Sequence, residues 1–163
     1  MRPEDPLRSP IILAIAGLYL LGGVVGMVAL LPLLNGASMS LPEALVNLFH
    51  LALLIAAILG SVQLLRRQGS GVRLLLWLSW LCVPALETPW FLYWCGFAID
   101  AVARVSLMAG SLTPSLNVYF GHRFVLTHIP YWPSVGAGVN LVALGCALVL
   151  GRLEPVPPIR RGL

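Results

Sequence analysis

The sequence predicts an all-α integral membrane protein, a four-transmembrane-helix bundle with a structured outer loop, and three observations predict it. Of its 163 residues 59% are hydrophobic and only 10% charged, too little polar surface to cover a water-soluble core of this size. Apolar runs long enough to cross a bilayer recur along the chain. The arginines gather in the short connections between those runs, most densely in the turn Arg66-Arg67-Gln68-Gly69-Ser70-Gly71-Val72-Arg73. Basic residues mark the cytoplasmic side of a membrane protein, so this turn orients the chain.

Residues 1–10 carry three prolines and read as a short cytoplasmic tail. The first span, 11–34, is about twice the length of a secretory apolar region, so it reads as a retained crossing. Asn35 to Met39 makes an outer turn. Ser40-Leu41-Pro42-Glu43 then matches a capping box, in which Ser and Glu satisfy amides of the first helical turn and Pro42 gives up one that has no partner there. The second span is 41–65. The third, 74–95, is kinked near Pro84 and Pro89; a rival reading splits the region at Glu87-Thr88-Pro89 and gives five spans. The positive-inside rule decides between them. Four spans put Arg2, Arg8, Arg66, Arg67, Arg73, Arg152, Arg160 and Arg161 inside and leave only Arg104 and Arg123 outside, whereas five would export the arginine-rich tail.

The outer loop is 96–133. Phe97 to Ala109 is expected as a helix at the outer surface, where Asp100 and Arg104 form an i,i+4 ion pair. Leu116–Phe120 and Arg123–Thr127 are β-prone runs around Gly121-His122, the pattern of a short β-hairpin with a type II′ turn. Tyr131 and Trp132 mark the outer interface. The fourth span is 134–151, and 152–163 forms a cytoplasmic tail with three prolines and three arginines. The whole chain is thus one membrane domain, 1–163. Arginine in all ten Lys/Arg positions points to a GC-rich bacterial genome, and the chain is expected in the bacterial inner membrane with both termini cytoplasmic.

Small residues at four-residue spacing mark faces where helix backbones approach closely in lipid. Gly22 and Gly26 form one such face on the first span, and Ala52, Ala56 and Gly60 another on the second. Either they pack the bundle internally, or one of them meets a membrane-protein partner or a second copy.

The few polar residues inside the spans are the chemical candidates. His50, Glu87 and Asn140 fall at similar depths near the outer side, and a charge in lipid costs about 2.5–3.5 kcal/mol even on insertion scales. They are therefore expected to meet as an intramembrane polar cluster, either a clasp fixing helix register or a proton- or ligand-handling site. Asp100, Arg104, His122, Arg123 and His128 are candidate binding residues of the outer loop. Two histidines without a further Cys or carboxylate do not make a zinc site, so no metal is expected. Haem between spans needs paired histidines and only His50 lies in a span, so no cofactor is expected either. Cys82, Cys95 and Cys146 stand apart without a C-x-x-C pair, which excludes a disulfide generator built on paired cysteines. Hydrolase, metalloprotease and phosphate-loop motifs are missing, and the arginines form no nucleic-acid stripe. The expected function is that of a non-catalytic membrane accessory, assembly or interaction protein. The alternative is a small oligomeric transporter or channel using a Glu/His site, and a lipid-modifying enzyme is a more distant third.

Overall fold

The computed structural model describes residues 7, 9–34, 40–108, 110–128 and 134–153. The expected tails, the Asn35–Met39 turn and the Tyr131-Trp132 interface marks lie wholly or mostly outside them. Among the described residues four helices and six strands follow in the order α1 (Pro10–Leu34), α2 (Leu41–Leu65), α3 (Gly69–Cys82), β1 (Pro84–Glu87), β2 (Phe91–Gly96), β3 (Ile99–Met108), β4 (Ser111–Phe120), β5 (Arg123–His128), β6 (Ser134–Asn140) and α4 (Leu141–Gly151). The all-α four-helix bundle is therefore overturned. Among the described residues only α1 and α2 are long and apolar enough to cross a membrane, with mean hydropathies of 2.4 and 2.2. Helix α3 has 14 residues and α4 has 11, about 21 and 17 Å, short of a hydrocarbon layer of about 30 Å.

Local chemistry explains where helix gives way to strand. The first two helices coincide with the first two apolar runs, and Glu43 Oε2 accepts from the Ser40 amide at 2.9 Å and its hydroxyl at 2.8 Å, closing the α2 capping box. Helix α3 stops at Cys82, two residues before Pro84, whose missing N–H cannot continue it. The next turn, Thr88 to Phe91, is fixed by the Thr88 hydroxyl, which accepts from the Phe91 amide at 2.9 Å. The expected fourth span is half strand: β6 runs to Asn140, which caps α4 by accepting from the amides of Val142 and Ala143 at 3.1 and 3.3 Å.

The strands form one antiparallel sheet in the order β4-β3-β6-β1-β2-β5. The expected surface helix from Phe97 is instead β3, with Asp100 opposite Tyr119 and Arg104 opposite Ser115 on β4. The expected hairpin is corrected in kind. Its two β-prone runs are strands flanking Gly121 (φ +106°), but they do not pair with each other: β4 pairs with β3, and β5 with β2. They are the two edges of the sheet.

Those edges nevertheless meet. Trp94 on β2 and Tyr119 on β4 pack edge-on with ring centroids 4.8 Å apart, and the Arg123 guanidinium on β5 lies 3.9 Å over the Tyr119 ring. A flat sheet would hold β2 and β4 roughly 19 Å apart, at about 4.8 Å per strand step. The sheet is therefore rolled into an open barrel with an unpaired seam between β4 and β5. Register assigns the two faces. Asp100, Val102, Arg104 and Ser106 on β3, Ser134, Gly136, Gly138 and Asn140 on β6, Glu87 on β1 and Tyr119 on β4 share the inner face. Leu86, Val105, Leu107, Leu112, Leu116, Val118, Phe120, Val135 and Val139 share the outer one, and all nine are exposed.

The helices gather at one end of this barrel, where α3 runs into β1 and β6 runs into α4. Helix α1 reaches the two turns at that end. A Cβ on Gly22 would lie 2.8 Å from the Ala98 amide nitrogen, and one on Gly26 would lie 2.8 Å from the His122 ring. The core beneath is built from Tyr19, Leu54, Leu75, Cys82, Cys95, Phe97 and Leu150, all nearly inaccessible.

Candidate functional site

Each polar residue expected inside the spans finds its partner among the outer-segment candidates, so the expected single layer becomes three separate pairs. The first joins His50 of α2 to His122 of the β4–β5 turn. Their Nε2 atoms are 2.5 Å apart, with ring centroids 4.8 Å apart and ring planes within 13° of each other. Phe124 stacks on His50 at 4.4 Å, and Phe97 packs against His122 at 5.4 Å. Two nitrogens this close share one proton, so one ring donates and the other accepts. Burial, reinforced by the neighbouring His50, holds the His122 pKa down to about 4. The His122 ring is therefore neutral at physiological pH.

The second joins Asn140 to Asp100 inside the barrel. Asn140 Nδ2 donates to Asp100 Oδ1 at 2.8 Å while its Oδ1 caps α4, so both ends of the amide are committed. Burial raises the Asp100 carboxyl to about 6, opposed by the Asn140 hydrogen bond and the Arg123 charge. Gly96 lies against this carboxylate: a Cβ there would overlap it outright.

The third joins Glu87 to Arg104. Arg104 Nη1 donates to Glu87 Oε2, and Ser134 Oγ donates to Oε1. Their strands are not neighbours, since β6 runs between them. Glycines on β6 clear the way. A Cβ on Gly136 would sit 3.4 Å from Glu87 Oε2, and one on Gly138 would sit 3.1 Å from Arg104 Cβ. Glu87 is 4% exposed, at the end of β1 away from the helices, whereas His50 meets the barrel at the helical end. The Asp100–Arg104 ion pair expected on a helix is replaced by two strand residues with separate partners.

Arg123 stacks over Tyr119 and lies 5.4 Å from the Trp94 ring. The backbone of His128 pairs with Phe91; its side chain lies outside the described residues. The small-residue faces are largely spent inside the chain. Gly22 and Gly26 receive the barrel turns and Leu54, Gly60 receives Leu75 of α3, and Ala56 is half-buried, while Ala52 is exposed.

Sequence reasoning missed the convergence of the cysteines. Cys82 and Cys95, thirteen residues apart, have their sulfurs at 3.0 Å, and Cys146 lines the same small cavity as Cys82, Tyr19, Asp100 and Asn140. No group of three His, Cys, Asp or Glu side chains suited to a metal ion occurs among the described residues. A second feature is an open groove of about 600 Å³ over β3, β4 and β6, where Ala103, Leu116 and Val139 line it together with Arg104, Ser115 and Gly138. Comparison with family models, with curated proteins and with solved structures gives no match.

Proposed function

We propose that the chain is a non-catalytic interaction protein of a membrane, anchored by the α1/α2 hairpin and self-associating through the outer wall of its rolled sheet. One observation carries this reading: the sheet is polar within and apolar without. Nine large apolar side chains of β1, β3, β4 and β6 are exposed on one continuous wall, and contiguous patches of this kind mark contact with another protein or with lipid. Lipid alone is a poor occupant. The β4 edge is unpaired, and open sheet edges do not occur in lipid-exposed hydrocarbon. A second copy fits better, because an antiparallel edge strand meets itself across a two-fold axis and pairs its free backbone groups.

The arginines support a multi-pass orientation with both ends of the helical bundle's far side in the cytoplasm. Arg66, Arg67, Arg73 and Arg152 lie where α2 ends, α3 begins and α4 ends, and a Cβ built on Gly151 would lie 3.8 Å from Leu76 Cδ1; Arg104 and Arg123 lie in the barrel. The transporter alternative is less favoured, because Glu87 is held by Arg104 and Ser134 rather than left available for coupling.

The test is the oligomeric state of the purified chain in detergent and in nanodiscs. A dimer is expected, and the double variant L116R/V118R, which charges the outer wall alone, should give monomers with unchanged circular dichroism. A wild-type chain that stays monomeric at every protein concentration overturns the reading. So does a dimer that survives the double substitution.

A further inference from the structure

We infer that Cys82 and Cys95 are a dithiol–disulfide couple whose oxidised form cross-links α3 to the barrel. Both are thiols in the structure, with sulfurs 3.0 Å apart against about 2.05 Å for a disulfide. Closure therefore requires a movement of roughly 1 Å, within the reach of side-chain rotation. The approach is built in by its surroundings. One residue before Cys82, the Leu81 carbonyl accepts from the Tyr93 hydroxyl at 2.7 Å, and Tyr93 stands two residues before Cys95 on the same outward face of β2. The end of α3 is thus pinned to the strand that carries the second thiol. Tyr19, Phe97 and Cys146 pack around the junction.

Burial sets the chemistry. Cys82 is 1% and Cys95 0% exposed, so neither thiol is a nucleophile in the closed structure. The bond forms while β2 is not yet closed on α3, or when that junction opens. One thiolate attacks a disulfide-bearing oxidant such as oxidised glutathione and releases the first oxidant thiol. The second thiolate then displaces the other half, leaving a Cys82–Cys95 bond and two reduced oxidant thiols that take up both protons. Once β2 closes, the bond is as sheltered as the thiols were, so it serves as a lock rather than a catalytic disulfide. The cross-linked loop contains the whole of β1 and its turn into β2.

The full chain in detergent is equilibrated in glutathione buffers from fully reduced to fully oxidised, at temperatures up to the onset of unfolding. It is then acid-quenched, denatured, alkylated with N-ethylmaleimide and weighed intact. Three adducts are expected in reduced buffer and one in oxidised buffer, with peptide mapping placing the adduct on Cys146 and a bridge between Cys82 and Cys95. Cys146→Ser, which leaves the pair untouched, should fall from two adducts to none. Three adducts in every buffer overturn the inference. So does a bridge that includes Cys146, or glutathione retained on Cys82 or Cys95 in place of the bridge.

Discussion

Trp94 and Tyr119 touch across the barrel although four strand steps separate them in the sheet, and the Arg123 guanidinium closes over both rings. No backbone ladder joins β4 to β5, and this three-residue stack bridges the seam. Tyr119→Ala removes an aromatic pair contributing about 0.5–1.5 kcal/mol and a cation–π contact of similar size. The expected result is a loss of about 1–3 kcal/mol in chemical denaturation in detergent, with a loss of near-ultraviolet ellipticity. Arg123→Gln should cost about 1 kcal/mol and leave the Trp94–Tyr119 signal in place. Retention of full stability in Tyr119→Ala would show that the roll is fixed elsewhere.

Glu87 and Arg104 test whether the inner face is rigid architecture. Removing one partner of a buried pair costs about 3–5 kcal/mol, but the Arg104 side chain keeps 30% exposure, so about 2–4 kcal/mol is expected for Glu87→Leu or Arg104→Met alone. The double variant should recover most of that loss, because two apolar side chains leave no unpaired charge. Gly138→Val should reproduce the Arg104→Met loss without touching either charge, since its side chain would collide with the Arg104 stem. Additive single and double losses would contradict a direct pair.

How much of this was legible in the sequence depends on scale. A hydropathy window long enough to find a span averages over the period of two that marks a strand. It correctly found α1 and α2, whose apolar character is unbroken. It merged α3 with β1 and β2, and β6 with α4, because strands that are apolar on one face raise the mean as a helix does. The alternation was present at single-residue resolution. Asp100, Val102, Arg104 and Ser106 alternate with Ile99, Ala101, Ala103, Val105 and Leu107, and Ser134, Gly136, Gly138 and Asn140 alternate with Val135, Ala137 and Val139. The same alternation explains the pairs. His50, Glu87 and Asn140 stood out by polarity alone, but their partners are fixed by strand register. No local signal links Glu87 to Arg104 across two glycines, or Cys82 to Cys95 across a hairpin.

The acid response should separate two buried groups of opposite sign. His122 has its folded pKa depressed to about 4 from an unfolded value near 6.5, so the unfolded chain takes up the proton first. Its contribution is present above about pH 6.5 and is lost as pH falls toward 4. Asp100 is raised to about 6 from about 3.9. Its neutral form favours the fold, and that contribution is full below about pH 4 and lost as pH rises through 6. In the wild-type chain the two trends oppose each other between pH 4 and 6. His122→Phe should leave a chain that gains stability on acidification across this window. Asp100→Asn should leave one that loses it, and should melt higher than wild type at pH 8. Parallel pH profiles for wild type and both variants would sink this assignment.

The glycines of α1 provide an internally controlled series. Gly17 has nothing within 4 Å of a built Cβ, so Gly17→Ala should stabilise by about 0.4–1 kcal/mol through the backbone freedom it removes from the unfolded chain. A Cβ on Gly23 would lie 2.8 Å from Ile58 Cγ1 and 3.3 Å from the Leu54 carbonyl oxygen, one tight side-chain contact and one snug backbone contact, so Gly23→Ala should cost about 1–2 kcal/mol. Gly22 is different in kind. Its Cβ would lie 2.8 Å from the Ala98 amide nitrogen and 2.9 Å from Phe97 Cα, backbone atoms of the β2–β3 turn that move only if the helix moves with them. Gly22→Ala should therefore cost about 1–3 kcal/mol, and it should also weaken the Tyr19–Phe97 ring contact, now 5.2 Å between centroids. Thermal melts in one detergent rank the three variants. An order other than Gly17→Ala above Gly23→Ala above Gly22→Ala would mean that α1 does not rest its small-residue face on the barrel turns.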